Sequence, residues 1–322
     1  MFDLLLSADM MVSDPDAMAD KLEAKLGIYK HPRWRQAFAN HPYIAHFLRV
    51  HKSLALAPTR IEPQGHLDEP NLGDPLFHEF LESLKDFQGR HRPMLTHSIV
   101  VATPTAQLEQ LIEKLVRRRL PFRLAQRTPE MTFDRLWVGA TPEQPRYEPI
   151  VDGGLCIEVM PLEPLQLPAE TFSTPPPSLP DARPGEMIRV TARGFLVRDL
   201  DETLRRCSAN LDWETAGAVE TLQQEGYRRA RMAFKLAHSA ALEVIEPTRW
   251  NSLAGLYLHN WGPGPYYIRI AVKDLSAKAE DLKARGTTFS WIAESEAVDG
   301  GPLIRVDPAC LDGQVFEFEE LR

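Results

Sequence analysis

The sequence lacks the features that define several large classes of protein. No apolar run approaches the roughly 18–20 residues that a membrane-spanning helix needs, and we expect no membrane partner. The 322 residues contain only three cysteines, Cys156, Cys207 and Cys310, without the spacing of a metal site. Such sparse use of cysteine is typical of a reducing compartment, so we predict a cytoplasmic protein.

Positive charge is also in deficit. Lysine and arginine number 37 against 45 aspartates and glutamates, which gives a net charge of −8. This balance disfavours binding to phosphate backbones, and we expect no nucleic-acid partner. The sequence has neither a glycine-rich phosphate loop nor a Gly-x-Ser-x-Gly nucleophile motif. Its apolar fraction of 43% and charged fraction of 25% are those of a globular protein.

The sequence does contain a unit that recurs four times. In each copy a strand ends in a short polar turn, a helix begins there, and further strands follow. The turns are clearest at residues 197–200 (Val-Arg-Asp-Leu) and 272–275 (Val-Lys-Asp-Leu), with looser copies at 12–15 and 101–104. The alternative is that any alternating α+β chain produces such echoes.

A proline-rich segment at residues 161–185 divides the four units evenly. Segments of this composition form extended linkers between domains. We therefore predict an N-terminal domain at residues 1–160, which includes a connector with local helix at 64–93, and a C-terminal domain at residues 186–322. The predicted fold class is α+β.

These units resemble the modules of the vicinal oxygen chelate superfamily, which includes glyoxalases, bleomycin-resistance proteins and type I extradiol dioxygenases. The resemblance is clearest over residues 187–321, fair over 94–160 and weaker over 2–63. It implies that each unit is a βαβββ module and that the four modules pair into two cup-shaped glyoxalase-like domains. A four-module chain is similar to type I extradiol dioxygenases, whose working site lies in the second cup.

In that family two histidines and one glutamate hold a metal ion. Carried onto this sequence, the histidine positions fall on Ala192 and Tyr267, and the glutamate position falls on Glu317. Alanine cannot bind a metal and tyrosine rarely does so in this role. The resemblance therefore implies that the usual metal triad of the C-terminal domain is not intact.

Strand alternation predicts which side chains face the second cup. It places Tyr267 and Arg269 on one face with Glu243 and Glu317. We predict Glu317, Tyr267 and Glu243 as catalytic residues, with either Glu317 or Glu243 as a proton acceptor whose pKa burial raises. We predict Arg269 and His259 as substrate-binding residues. Arg269 would bind a substrate carboxylate through its forked guanidinium. His259 lies in a predicted loop at residues 248–264, which would form either a pocket rim or an inter-domain contact. The alternative is that Arg269 pairs with a glutamate of the closing strand and holds the sheet together.

Most of the histidines lie in the first half of the chain. Eight of the ten occur within the first 97 residues. His97 and Glu158 fall near the family's metal positions in the second module, and we predict them as ligands of a divalent ion such as iron, manganese or zinc. The alternative is that no metal is bound there.

The resemblance and the candidate residues predict a protein that handles a small molecule. The first hypothesis is an enzyme that resembles extradiol dioxygenases and acts on an aromatic or carboxylated metabolite with an altered active site. It would be a dioxygenase-like oxidoreductase, or a lyase or isomerase of the glyoxalase superfamily. The second hypothesis is a metal-free binding or sequestering protein of bleomycin-resistance type. The third is a structural subunit whose cups bury a partner. A homo-oligomer is compatible with all three.

Overall fold

The computed structural model describes residues 1–11, 14–29, 43–45, 48–49, 55–61, 75–88, 99–125, 133–165, 181–236 and 239–321. The helices are α1 (Pro15–Leu26), α2 (Pro75–Gln88), α3 (Thr105–Arg118), α4 (Leu200–Leu211), α5 (Leu253–Trp261) and α6 (Leu275–Ala284). None of the helices in these ranges is long and apolar enough to cross a membrane. The strands of the first half are β1 (Leu4–Met11), β2 (Tyr43–Ala45), β3 (Leu48–Arg49), β4 (Ala55–Ile61), β5 (Ile99–Thr103), β6 (Phe122–Ala125), β7 (Arg135–Val138) and β8 (Ile157–Pro161). Those of the second half are β9 (Met187–Leu196), β10 (Glu220–Leu222), β11 (Tyr227–Met232), β12 (Ala241–Pro247), β13 (Gly264–Val272), β14 (Phe289–Ser295), β15 (Gly301–Val306) and β16 (Val315–Glu320).

The strands form two eight-stranded sheets, one from each half of the chain. The order is β2-β4-β1-β5-β8-β7-β6 in the first sheet, where β3 also pairs with β4, and β10-β11-β12-β9-β13-β16-β15-β14 in the second. At the centre of each sheet the opening strands of two units pair antiparallel, and each is flanked in parallel by the closing strand of its own unit. This architecture confirms the predicted α+β fold class with cup-shaped sheets.

Aspartates begin the helices of three units. Asp14, Asp199 and Asp274 each accept a hydrogen bond from the backbone N–H three residues ahead, at 3.0, 2.9 and 2.8 Å. An N-cap of this kind typically contributes about 1 kcal/mol. The turn that recurs along the sequence is therefore the helix cap itself. The second unit has Pro104 at this position, and Glu163 accepts from the first N–H of the helix instead.

A connecting helix in each half packs on one face of its sheet. Phe80 of α2 is buried edge-on against Trp137, in the connector where the sequence predicted local helix. The segment at 248–264, predicted as a loop, instead contains α5. Ser252 caps α5 by accepting a backbone N–H at 3.0 Å, and Tyr257 packs on an aromatic side chain of β13. The apolar residues of α5 surround the helix rather than forming one stripe, so the sequence carries no helical period there.

One large apolar core takes side chains from both halves of the chain. Leu22 of α1 and Leu115 of α3 belong to it, together with Cys207 of α4, Ile270 of β13 and Leu282 of α6. Full burial of a leucine or isoleucine contributes about 1.5–3 kcal/mol, so the two halves stabilise each other. The domain boundaries on either side of the proline-rich segment stay a prediction.

The last turn of α1 is completed by the second half. Its carbonyl oxygens accept hydrogen bonds from Lys278, Arg285 and Thr287 at 2.8, 3.1 and 2.8 Å. The backbone then leaves the helix at Gly27, whose φ of 75° is left-handed and favours glycine. Two of the three donors are cations, which also suit the negative end of the helix.

Candidate functional site

A cavity of about 300 Å³ opens on one face of the second sheet. Its lining comes from β9, β11, β12, β13, β15 and β16 and from the turn at residues 297–299. The small side chains of Ala192, Ala241 and Ala297 leave the space open. The charged residues around them include Arg189, Arg231, Arg269, Glu243 and Glu319.

An irregularity in strand pairing brings two consecutive residues onto the cavity face. In the pairing of β9 with β13, Ala192 stands opposite Arg269 while Val190 stands opposite Ile270, so β9 has one extra residue at Thr191. A β-bulge of this kind re-aims the side chain at the extra residue. Thr191 and Ala192 therefore both line the cavity, whereas strict alternation would place them on opposite faces.

Arg269 is buried between two carboxylates. Its Nη2 and Nε donate to Oε2 of Glu317 at 2.9 and 3.1 Å. Its Nη1 lies 3.6 Å from Oε1 of Glu243 and donates to the carbonyl of Ala297 at 3.2 Å. Arg305 lies 2.7 Å from the other oxygen of Glu317. Arg269 thus pairs with the closing strand, as the alternative prediction held, and its N–H groups are directed at protein acceptors.

Glu243 accepts hydrogen bonds from three side chains. The hydroxyl of Tyr267 donates to its Oε2, and Nε of Arg231 and Nη1 of Arg229 donate to its Oε1 at 3.1 and 3.3 Å. The centre of the Tyr267 ring in turn lies 4.7 Å from the guanidinium carbon of Arg269. Contacts of this kind between a cation and an aromatic face are attractive when desolvated.

The paired charges on this face of the sheet balance one another. Leaving one of these charges buried without a partner would cost several kcal/mol. The charged side chains can therefore be buried only because the network is complete. Four glutamates pair with four arginines: Glu220, Glu225, Glu243 and Glu317 with Arg229, Arg231, Arg269 and Arg305.

Burial and charge act in opposite directions on the pKa values of the two central glutamates. Burial alone would raise the pKa of Glu317, but Arg305 and Arg269 outweigh it and hold the pKa below its usual value near 4.5. The pKa of Glu243 is lowered for the same reason, with Arg269 as the largest opposing influence. The predicted rise of the pKa is therefore wrong, because the arginines reverse the effect of burial, and both carboxylates are ionised at neutral pH. Burial raises the pKa of Tyr267 well above its usual range, so its hydroxyl stays protonated.

The other predicted residues lie at different depths and places. Tyr267 and Glu317 are each 1% exposed and lie beneath the cavity rather than in its lining. His259 is exposed on α5. Glu158 is buried in the first sheet and accepts a hydrogen bond from Arg135 at 2.9 Å, while His97 lies outside the described residues. The predicted pairing of His97 with Glu158 around a metal stays a prediction.

The side chains of the second sheet do not fit a metal ion. The resemblance places the metal ligands at Ala192, Tyr267 and Glu317. The guanidinium of Arg269 contacts Tyr267 and Glu317, and the backbone of Arg269 stands opposite Ala192, so a protein cation lies next to all three positions. The nearby carboxylates already have arginine partners. Within the described ranges, no group of three or more His, Cys, Asp or Glu side chains could hold a metal.

Reasoning from the sequence missed the arginines that neutralise these glutamates. Arg229 and Arg231 alternate along β11, and Arg305 lies on β15 opposite Glu317. Two arginines that are two residues apart in a strand point to the same face of the sheet, and arginines are rare on a buried face. That spacing was the signal in the sequence for a charged network. The sequence did not predict that Arg189 faces the cavity, because it does not show the β-bulge at Thr191.

Comparison with models of known protein families gave no match, and comparison with curated proteins gave none either. Among solved structures, a methylmalonyl-CoA epimerase from Mycobacterium tuberculosis is 22% identical, with 41% of this chain and 87% of that one covered and a TM-score of 0.37. A hypothetical protein from Bacillus halodurans is 20% identical, with 41% and 94% covered and a TM-score of 0.36. A methylmalonyl-CoA epimerase from Streptomyces coelicolor, in complex with 2-nitronate-propionyl-CoA, is 24% identical, with 42% and 97% covered and a TM-score of 0.37.

Proposed function

We propose that the chain binds a small organic molecule in the cavity of the second sheet, without a metal ion in that cavity. The observation that carries the proposal is the position of Arg269, which neutralises Glu243 and Glu317 directly beside an open space lined by alanines. A cavity of this volume is at the lower end of the range for small-molecule sites. We propose no dioxygenase step there, because the residues do not fit the iron that such a step needs.

A second candidate is acid–base catalysis by Glu243. Its carboxylate lines the cavity and is ionised at neutral pH, so it is available to accept a proton from a bound molecule. The lowered pKa makes Glu243 a weak base, which favours the binding function. Exchange of a ligand C–H for deuterium in D₂O, followed by NMR and lost in Glu243→Gln, would support catalysis.

The binding function is tested by filling the cavity. Ligand-observed NMR with a set of small aromatic and aliphatic acids, amides and alcohols should detect binding to the wild-type protein. Ala192→Leu and Ala241→Leu should abolish it while the circular dichroism of the folded protein is kept. Ala216→Leu, at an exposed position, serves as the control. Treatment with a chelator should leave binding unchanged. Equal binding by both cavity variants, or no binding by the wild-type protein, would reject the proposal.

A further inference from the structure

We infer that the group bound in this cavity is a carboxylate and that Arg189 holds it. The inference rests on the proposed function and names the class of ligand. Arg189 lies on β9 and lines the cavity. Its Nε is buried and has no hydrogen-bond partner in the part of the chain that the structure describes.

A buried N–H group without an acceptor is costly. Leaving such a group unsatisfied costs about 1–3 kcal/mol, and more when the group is charged. Because the Arg189 side chain lines the cavity, a carboxylate bound there gives the guanidinium an acceptor that the described residues do not provide. A planar carboxylate suits a guanidinium because its two oxygens match two parallel N–H groups.

The other arginines of the cavity already have protein partners. Arg269 is held by Glu317 and Glu243, and Arg231 donates to Glu243 at 3.1 Å. Of the three arginines that line the cavity, Arg189 is therefore the one without a carboxylate partner in the described part of the chain. This differs from the sequence-based hypothesis, in which Arg269 bound the substrate carboxylate.

The acidic residues of the lining either have partners within the protein or are exposed to water. Glu243 is surrounded by three arginines and Tyr267. Glu319 accepts from the hydroxyl of Thr191 at 2.5 Å, and Glu320 accepts the first N–H of α6 at 3.3 Å. Asp299 is exposed at the mouth of the cavity, where water and salt screen its charge. Their presence favours a singly charged carboxylate over a doubly charged phosphate, because each further negative charge would be repelled.

Benzoate and benzamide provide matched probes, since they share shape and differ in charge. Titrations followed by NMR should show that the wild-type protein binds benzoate at least about tenfold more tightly than benzamide, a difference of about 1.4 kcal/mol. Arg189→Met should reduce the affinity for benzoate to that for benzamide. Arg189→Lys keeps the charge but lacks the fork, and it should retain only part of the preference. Arg183→Met, an arginine whose side chain is 89% exposed, should behave like the wild-type protein.

A second measurement separates binding from a structural role. Because Arg189 has no hydrogen bond to lose at its Nε, Arg189→Met should be at least as resistant to urea as the wild-type protein. Equal affinity for the two probes, or a preference that persists in Arg189→Met, would overturn the inference while leaving the binding function in place. Absence of binding by either probe would overturn the inference, and the proposed function is then decided separately by the wider ligand set and Ala192→Leu.

Discussion

Arg269 and Glu317 form a buried pair between adjacent strands, with Nη2 of the guanidinium 2.9 Å from Oε2 of the carboxylate. The two residues stand directly opposite each other in the parallel pairing of β13 with β16. Register alone therefore brings the charges together. Because both side chains are almost fully buried, neither can turn to water if the other is removed.

Arg269→Ala should lower the free energy of unfolding by about 3–5 kcal/mol, the cost of leaving one member of a buried pair without its partner. Urea denaturation measures this change. Arg205→Ala provides the control, because Arg205 pairs with Glu202 at the surface with its side chain 65% exposed. Pairs of that kind contribute about 0–1 kcal/mol. A loss below about 1 kcal/mol for Arg269→Ala would show that the network is not coupled as described.

Lowering the pH should reduce the free energy of unfolding of the wild-type protein, because Glu317 becomes protonated. Folding lowers the pKa of this carboxyl below its usual value near 4.5, so its ionised form stabilises the native state. That stabilisation is present above the usual pKa and is lost as the pH falls through the lower pKa of the folded protein. In Glu317→Gln the unfolding free energy should fall less steeply between about pH 5 and about pH 3. Parallel pH profiles of the two proteins would contradict the assignment.

Gly194→Ala should disturb Tyr267. A Cβ atom at this position would lie 2.7 Å from Cε1 of the Tyr267 ring, so the ring must move and its hydroxyl leaves Glu243. We expect a loss of about 1–3 kcal/mol, as for other overpacked sites, together with a change in the near-ultraviolet circular dichroism of tyrosine. Gly217→Ala is the matched control, since nothing lies within 4 Å of the added atom. Equal stability of the two variants would count against a close fit.

Lys278→Met should loosen the contact between α1 and the second half. The buried ammonium donates to the Leu26 carbonyl at 2.8 Å and lies 5.0 Å from the centre of the Phe318 ring. Removing the donor should cost about 1–3 kcal/mol and speed hydrogen exchange in the last turn of α1. Lys283→Met, at an exposed position of the same helix, should change neither. Unaltered hydrogen exchange in Lys278→Met would contradict the prediction, because Arg285 and Thr287 would then be enough to hold the last turn of α1.

The sequence predicted those features that depend on one residue and its near neighbours. The recurring aspartate turn located three helix starts, and strand alternation placed Arg269, Glu243 and Glu317 on one face. It did not predict the β-bulge at Thr191, because an extra residue in a strand depends on the pairing with its neighbour. The sign of the pKa shifts also escaped prediction, because it depends on Arg229, Arg231 and Arg305 arriving from other strands.

Sequence-based prediction meets the same limit with α5 and with the packing of the two halves. α5 carries apolar residues on all sides, so no period distinguishes it from a loop. The sequence also divides into two halves at the proline-rich segment, yet the main core includes Leu22 and Leu282 together. Composition indicates where a chain is extended, but it does not indicate which surfaces meet across the extended segment.

The completed end of α1 has a consequence for how the chain is made. The donors for its last carbonyls lie 252 and 262 residues further along the sequence. On a ribosome, about 5–20 residues are added each second, so α1 leaves the exit tunnel many seconds before these partners exist. The last turn of α1 must therefore stay without these hydrogen bonds until the last unit has been synthesised. A truncated chain that ends before α6 would leave the last turn of α1 without these donors permanently.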